Sequence, residues 1–237
     1  MCRVVRVAVN LGGVTAGFPA PGRCWEPLSA LHETDGPGDI ARVLGPAAWA
    51  RLTADIRKRF GAAQAKAERT TYAGVMATVQ ASWTGRLLAQ ACRLIGTPLA
   101  PFCGRDIRTL VSVGPDPGGR GTQWMRVYHF PGRRPVTVRS SKVMDRDNRL
   151  LEVVGGGFGM RLKLYEEAQA LHFLSTRYFW EGLGVRIWLP HWLTPGEAHV
   201  VHADVGEGRF RFTITMTHAL LGELFFQDGV FEEEGDM

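Results

Sequence analysis

Apolar and polar residues alternate with a period of two over much of the second half of the chain. In the clearest example, 208–216, Phe210, Phe212 and Ile214 alternate with polar residues. This period is typical of a β-strand with one buried face. Similar runs recur about every ten residues, separated by the Gly, Pro, Asp and Asn residues that favour turns. The ten predicted strands are 70–82, 107–114, 122–130, 135–142, 149–154, 158–165, 169–176, 198–205, 209–217 and 222–231.

Ten antiparallel strands favour a closed or strongly curved sheet, because a flat sheet would leave long unpaired edges. Two helices are predicted near the first strand: 46–60, with Pro46 at its first position, and 84–95, with Thr84 as its cap. The stripe of the second helix predicted to face the sheet comprises Leu87, Leu88, Ala91, Leu94 and Ile95. The predicted fold class is α+β, a ten-stranded, mostly antiparallel meander forming a curved sheet or barrel, with two N-terminal helices packed against it.

One segment, 177–197, interrupts the meander. It contains the aromatic residues Tyr178, Phe179, Trp180, Trp188 and Trp192, and its two glycines, Gly182 and Gly184, would permit a hinge. We expect it to form a mobile cover over the barrel mouth. The alternative is that its rings plug one end of the core.

The length of 237 residues suits one large domain. Residues 38–237 are predicted to form it, as a single α+β barrel-like domain. Residues 1–37 are predicted to be a poorly ordered N-terminal arm, because their Gly and Pro content leaves no continuous apolar face. This stretch lacks the apolar run and cleavage site of a signal peptide.

Composition and charge exclude several classes of protein. The net charge is +5, but the arginines are scattered, so no nucleic-acid partner is predicted. The four cysteines lack the spacing of a zinc or redox site, so no metal and no cofactor are predicted, and a reduced, cytoplasmic location is favoured. No apolar run is long enough for an integral membrane span.

Several spaced motifs together resemble a known bacterial family. They are Tyr72-x-Gly74-x-Met76, 93–100, Trp124-x-Arg126-x-Tyr128-x-Phe130, 189–193, and 208–212 followed by Leu221-Gly222. In this order they resemble the domain of unknown function 4166 family, over about residues 40–231. Such domains occur alone or fused behind a saccharopine-dehydrogenase-like domain that binds nicotinamide. The resemblance therefore implies a nicotinamide-dependent reductase as a partner.

Arg126 is the first residue that could carry chemistry, because it shares one face of its predicted strand with Trp124, Tyr128 and Phe130. If that face is interior, the guanidinium needs a carboxylate or an anionic ligand group. Glu152, Glu223 and Asp204 are the acidic residues predicted to reach it.

Two histidines depend on strand register. A three-residue loop at 166–168 would pair His172 with Leu162 on the inner face, whereas a four-residue loop would turn it outward beside Lys163. A three-residue loop at 206–208 would place His202 and Asp204 beside Phe210 and Phe212 inside, and a two-residue loop would place them outside. A buried histidine near an acid could act as a general base, or be structural.

The predicted function is binding of a hydrophobic or amphipathic small molecule in a barrel-like cavity. One alternative is an isomerase or cyclase acting in the same cavity; another is a non-catalytic partner domain of a reductase. The predicted catalytic residues are Arg126, Glu152, His172, His202 and Asp204. The predicted ligand-binding residues are Trp124, Tyr128, Phe130, Tyr178, Trp180, Trp188, Trp192, Phe210 and Phe212. No nucleophile elbow or phosphate loop accompanies them.

Overall fold

The computed structural model describes residues 25–27, 40–61, 69–96, 98–119 and 121–235. The α-helices are α1 (Ile40–Leu44), α2 (Pro46–Arg51), α3 (Ala54–Phe60) and α4 (Trp83–Ala91), with single 3-10 turns at Cys92–Ile95, Gly155–Gly157 and His191–Leu193. The strands are β1 (Trp25–Pro27), β2 (Thr70–Ala81), β3 (Gly104–Pro115), β4 (Gly121–His129), β5 (Val136–Met144), β6 (Leu150–Val153), β7 (Phe158–Glu167), β8 (Ala170–Gly182), β9 (Val185–Trp188), β10 (Glu197–Gly206), β11 (Arg209–His218) and β12 (Gly222–Glu233).

Ten strands close into an antiparallel barrel. Their hydrogen-bonded order is β8, β10, β11, β12, β2, β3, β4, β5, β6 and β7, and β7 pairs again with β8. Closure leaves these strands without a free edge. Each corresponds to one predicted strand, so the predicted α+β barrel fold is confirmed.

Alternation along the strands separates the barrel interior from its outer surface. On β4, Trp124, Arg126 and Tyr128 are buried, whereas Gln123 and Met125 are only half-buried. Strands β5 and β11 repeat this alternation. The barrel core is therefore built by every second residue, as the period of two predicts.

Helix α3 fills one end of the barrel. Its last residue, Phe60, lies 5.6 Å from Trp124 of β4 and 4.9 Å from His202 of β10 between ring centroids. The prediction of one continuous helix over 46–60 is wrong. Leu52 is extended and 3% exposed, so the break directs it into the core, and Thr53 caps a new helix by accepting a hydrogen bond from the Ile56 amide.

Helix α4 packs along β12 and β2 through small residues. Gly85 and Ala89 are buried, and a Cβ at position 85 would overlap the carbonyl oxygen of Leu224. This close approach turns Leu87 and Leu94 to solvent, 62% and 90% exposed, so their predicted inward direction is wrong. The cap is Ser82 instead of Thr84, because the Ser82 hydroxyl accepts a hydrogen bond from the Gly85 amide.

The segment 177–197 does not break the meander where predicted. Strand β8 continues to Gly182 and forms a hairpin with β9. Strand β9 pairs with the last residues of β8, on the same edge where residues 171–174 of β8 pair with β10. The hairpin covers an outer-face cluster of Val143, Leu151 and Phe179, against which Trp188 packs. Ionic contact between Glu181 and Arg186 also joins its two strands.

The predicted arm, 1–37, lies outside the described residues except for Trp25–Pro27, whose backbone pairs with β9. Across the described ranges, every helix is too short or too polar to cross a lipid bilayer.

Candidate functional site: a cavity in one half of the barrel

The barrel interior divides into two halves. In the packed half, next to α3, the rings of Phe60, Trp124, Phe173, His202, Phe210 and Phe212 contact one another. The cavity half lies towards α4 and holds a space of about 240 Å³. Its lining residues are Leu88, Cys92, Ile95, Pro98, Leu99, Arg126, Ser140, Glu152, Val154, Phe158, Gly159, Met160, Tyr178, Leu189, Leu193, Pro195, Ala198, Val200, Ile214 and Met216.

The cavity has two kinds of wall. Strands β10 and β11 contribute the small or flexible apolar side chains of Ala198, Val200, Ile214 and Met216. Helix α4 with its following 3-10 turn and the segment 189–195 contribute a second group of mostly apolar lining residues. The lining is mostly apolar, as in sites that bind small organic molecules.

Strand register brings the polar residues of the cavity together. Lys142 of β5 lies opposite Glu152 of β6, Glu152 opposite Met160 of β7, and Met160 opposite Tyr178 of β8. Arg126 is one strand further along, on β4. Arg126 lies opposite Val138 rather than Lys142. Arg126, Glu152, Met160 and Tyr178 line the cavity, whereas Lys142 lies beside them against Trp124 and Phe173 of the packed half.

Arg126 is buried, with 8% of its surface exposed. Its Nη2 donates a hydrogen bond of 3.3 Å to Ser140 Oγ, and its guanidinium lies 5.9 Å from the Phe212 ring centroid. The Nε atom is buried and has no hydrogen-bond partner. The predicted burial is therefore correct, but the direct partner is Ser140 rather than one of the predicted carboxylates.

Glu152 pairs with Lys142 instead, with Nζ and Oε2 separated by 3.5 Å and both side chains about one-tenth exposed or less. Burial would raise the pKa of Glu152, but Lys142, Arg126 and Ser140 together hold that pKa below its ordinary value. Burial lowers the pKa of Lys142, and Glu152 opposes this decrease. The carboxylate thus stays ionised at neutral pH beside an apolar space.

Tyr178 supplies the last polar group of the cavity. Its hydroxyl is buried near Ser175 without a well-formed hydrogen bond. Burial raises the pKa of Tyr178 to about 12, so the phenol is protonated at neutral pH. The hydroxyl therefore keeps an unused hydrogen-bond donor, although protein atoms cover its oxygen.

Five of the predicted ligand-binding residues lie in the barrel core but not in the cavity lining. Trp124, Phe210 and Phe212 belong to the packed half. Tyr128 stacks on Phe130 and donates a hydrogen bond of 3.0 Å to the buried Gln227. These five are core side chains.

His202 and Asp204 have the inward register of the three-residue loop, opposite Phe212 and Phe210. His202 is 2% exposed among aromatic rings, and its Nδ1 has no partner. Burial, with the nearby cations, holds the pKa of His202 well below its ordinary value. Asp204 interacts electrostatically with Arg59 and accepts a hydrogen bond from the Gly206 amide. Neither residue reaches the cavity.

His172 follows neither predicted register. The turn contains two residues, Ala168 and Gln169, both with positive φ, so His172 lies opposite Tyr165. Its ring stacks on Tyr165 on the outer face, and its Nδ1 lies 3.0 Å from His199 Nε2. His172 therefore has the outward direction of the second alternative, with a different register, and it does not line the cavity.

The predicted aromatic cover is only partly at the cavity. Tyr178 lines it, but Trp180 donates a hydrogen bond to the Gly156 carbonyl and Trp188 packs on the outer-face cluster. Trp192 is 77% exposed. The neighbouring apolar residues Leu189, Leu193 and Pro195 line the cavity instead.

Two polar residues of the site were missed in the sequence. Ser140 and Lys142 occupy alternate positions of β5 with Val136 and Val138. This alternation indicates that they share the inward face, and Glu152 on the next predicted strand provides the matching charge. The strand register needed to pair them is not evident from the sequence.

Fold and site together define the class of protein: a closed antiparallel barrel with an apolar cavity in one half and the buried charged residues Arg126 and Glu152 in the cavity lining. The chain belongs to the family described as Domain of unknown function (DUF4166), which matches residues 52–231. The resemblance indicated by the spaced motifs is confirmed.

A curated relative is the Uncharacterized protein YndH of Bacillus subtilis (strain 168), which is 30% identical over 118 residues. The aligned region covers 48% of this chain and 57% of that relative, so the match spans little more than half of its length. No solved structure gives a significant match.

Proposed function

We propose that this protein binds a hydrophobic or amphipathic small molecule in the cavity half of the barrel. The observation that carries the proposal is the contrast within one interior, where aromatic rings fill one half and an apolar space of about 240 Å³ remains in the other. Interiors are normally packed with few voids larger than a water molecule. A space of this size, with a few polar groups at its wall, supports a ligand site.

A second candidate function is an enzyme of the isomerase or cyclase type that uses the same cavity. Glu152 is its candidate base, because it is the carboxylate that lines the cavity among the described residues. Lys142, Arg126 and Ser140 hold the pKa of this carboxyl below its ordinary value against the effect of burial, which makes it a weak base and places the enzyme second to ligand binding. In this role Arg126 and the Tyr178 hydroxyl would stabilise developing negative charge.

A third function, as non-catalytic partner of a nicotinamide-dependent reductase, follows from the family resemblance. The same cavity counts against it, because a purely structural partner needs no internal space. The free thiols Cys92 and Cys103 agree with the cytoplasmic location that we propose.

Paired substitutions on one strand test ligand binding. Val200 lines the cavity, whereas Val201 is the next residue on β10 and lies on the outer face. We expect Val200→Phe to fill the space and weaken binding of medium-chain apolar ligands at least tenfold, and Val201→Phe to leave it within about twofold. Titration calorimetry measures both affinities.

Native mass spectrometry of the protein purified from its own host provides an independent check. A small molecule should accompany the wild type and Val201→Phe but not Val200→Phe. Equal ligand loss in both variants, or binding unaffected by Val200→Phe, would place any ligand elsewhere and contradict the proposal.

A further inference from the structure

We infer that the ligand carries a single negative charge, in the form of a carboxylate, and that Arg126 binds it. This inference rests on the proposed function, since it requires a ligand in the cavity. The apolar tail would then extend from Arg126 towards Leu88, Ile95 and Leu193. The ligand class is a medium-chain carboxylic acid or an amphiphile with an equivalent acidic group.

The buried charges beside the cavity do not balance. Lys142 interacts with one carboxylate, Glu152, and with one further cation, Arg126. Glu152 in turn is influenced by those two cations and by Ser140. Two cations therefore face one anion, which leaves one positive charge when all three are ionised. Buried charges are normally paired, so a monoanion would complete the group.

The hydrogen-bond donors that lack a partner belong to Arg126, the cation that lines the cavity. Lys142 is occupied by Glu152 and does not line the space, whereas Arg126 does. Of the Arg126 nitrogens, Nη2 binds Ser140, and Nε is buried without a partner. A guanidinium presents several donors in a fork that matches a carboxylate. Arg126 is thus already buried and held at the wall of an apolar space, with hydrogen-bonding capacity that Ser140 does not use, although protein atoms cover its Nε.

The chemistry of the site disfavours other head groups. A cationic head would meet Arg126 at the cavity wall, and the compensating carboxylate of Glu152 is already bound to Lys142 and Ser140. A neutral alcohol would leave the positive charge uncompensated. A dianionic phosphate would exceed the single excess charge and lie close to Glu152. A monoanionic carboxylate fits both the charge and the geometry of the donors.

The volume limits the size of the tail. At about 30 Å³ for each water-sized group, the space of about 240 Å³ holds roughly eight such groups. The space therefore holds a carboxylate and roughly the first six carbons of a chain, and the rest of a ten-carbon chain would extend past the exposed Leu193. Decanoic acid and 1-decanol are suitable ligands for a test, because they differ in the head group alone.

The experiment measures the affinity of decanoate and of 1-decanol, below their aggregation concentrations, for the wild type, Arg126→Met and Arg139→Met. Arg139 lies on β5 next to Ser140 but points outward and is exposed, so it is a matched control for loss of one positive charge. We expect the wild type and Arg139→Met to bind decanoate at least tenfold more tightly than decanol. Arg126→Met should lose this preference and retain binding of decanol.

The possible outcomes distinguish a failure of the inference from a failure of the proposed function. Equal affinity of the wild type for decanoate and decanol overturns the anionic head group while leaving ligand binding intact. A preference for decanoate that survives in Arg126→Met overturns the role of Arg126. Absence of binding of both molecules contradicts the proposed function together with the inference. The wild-type comparison needs no variant to fold, so the test remains decisive if Arg126→Met is unstable.

Discussion

The packed half and the cavity half of the barrel are built on the same strands but have opposite interiors. Along β10 the inward residues change from Ala198 and Val200 to His202. Along β11, which runs in the opposite direction, they change from Phe210 and Phe212 to Ile214 and Met216. On these two strands the large rings therefore lie towards α3 and the smaller aliphatic side chains line the cavity. The smaller side chains of β10 and β11 contribute to the room that the cavity half offers a ligand.

The two ends are also closed differently. Helix α3 places Phe60 among the rings of the packed half, 4% exposed. Helix α4 lies along the wall and reaches the cavity with Leu88, followed by Cys92 and Ile95 of the 3-10 turn. A side chain inserted from α3 stabilises the barrel, whereas the residues beyond α4 enclose a space.

The largest expected change in stability comes from removing one aromatic ring from the packed half. Phe60→Ala should lower the free energy of unfolding by about 3–5 kcal/mol, because it leaves a cavity among rings that cannot collapse around it. Equilibrium denaturation with urea measures the change. Leu88→Ala, at the wall of an existing space, is the matched comparison and should lower it by less than half as much. Equal losses would show that the two halves do not differ in packing.

A smaller effect is expected at the hairpin of β8 and β9. Trp188→Ala should lower the free energy of unfolding by about 1–3 kcal/mol, because its partly buried ring packs against Phe179 and under Arg177. Affinity for decanol should stay within about twofold. Trp192→Ala removes an exposed ring and should change the stability by less than about 0.5 kcal/mol. Weakened ligand binding in Trp188→Ala would restore the idea of an aromatic cover.

The smallest effect is a pH dependence of the packed half. The pKa of His202 lies well below its ordinary value of 6.5 in the folded state, so below pH 6.5 the unfolded chain binds a proton that the folded protein does not. Stability is therefore fully present above pH 6.5 and falls as the pH decreases. From pH 7 to pH 5.5 the loss from this residue should be about 1 kcal/mol.

His202→Leu removes the titrating imidazole and replaces it with an apolar side chain of similar volume. The difference in unfolding free energy between the variant and the wild type should grow in favour of the variant by that amount over the same pH range. Comparison of the two proteins cancels the contributions of His199 and other groups. A constant difference between pH 7 and pH 5.5 would mean that His202 titrates alike in both states.

Much of the barrel could be predicted from the sequence. Period-two alternation located all ten barrel strands, and it placed Arg126 on the inner face with Trp124 and Tyr128. These features follow from the alternation of apolar and polar residues within a single strand, which the sequence shows directly. The inward register of His202 was one of two alternatives, and the structure selects it.

The candidate site depended on features that the local pattern does not contain. The left-handed turn at Ala168 and Gln169 lacks the glycine or asparagine that usually identifies such a turn, so the position of His172 was missed. The pair of Lys142 and Glu152 requires the register between β5 and β6. The cavity itself requires the position of α4, which depends on close contact between Gly85 and Leu224 across the fold. Contacts between residues far apart in the sequence determine these features, and local secondary-structure propensity does not.

Intermolecular nuclear Overhauser effects between a bound ligand and assigned methyl groups test most directly the claim that one half of the barrel is a ligand site. With decanoic acid bound, we expect contacts from its chain to Val200, Ile214 and Met216. We expect none to Val201, on the outer face of β10. Contacts confined to outward-facing methyl groups, with the cavity methyl groups unaffected by the ligand, would contradict the account.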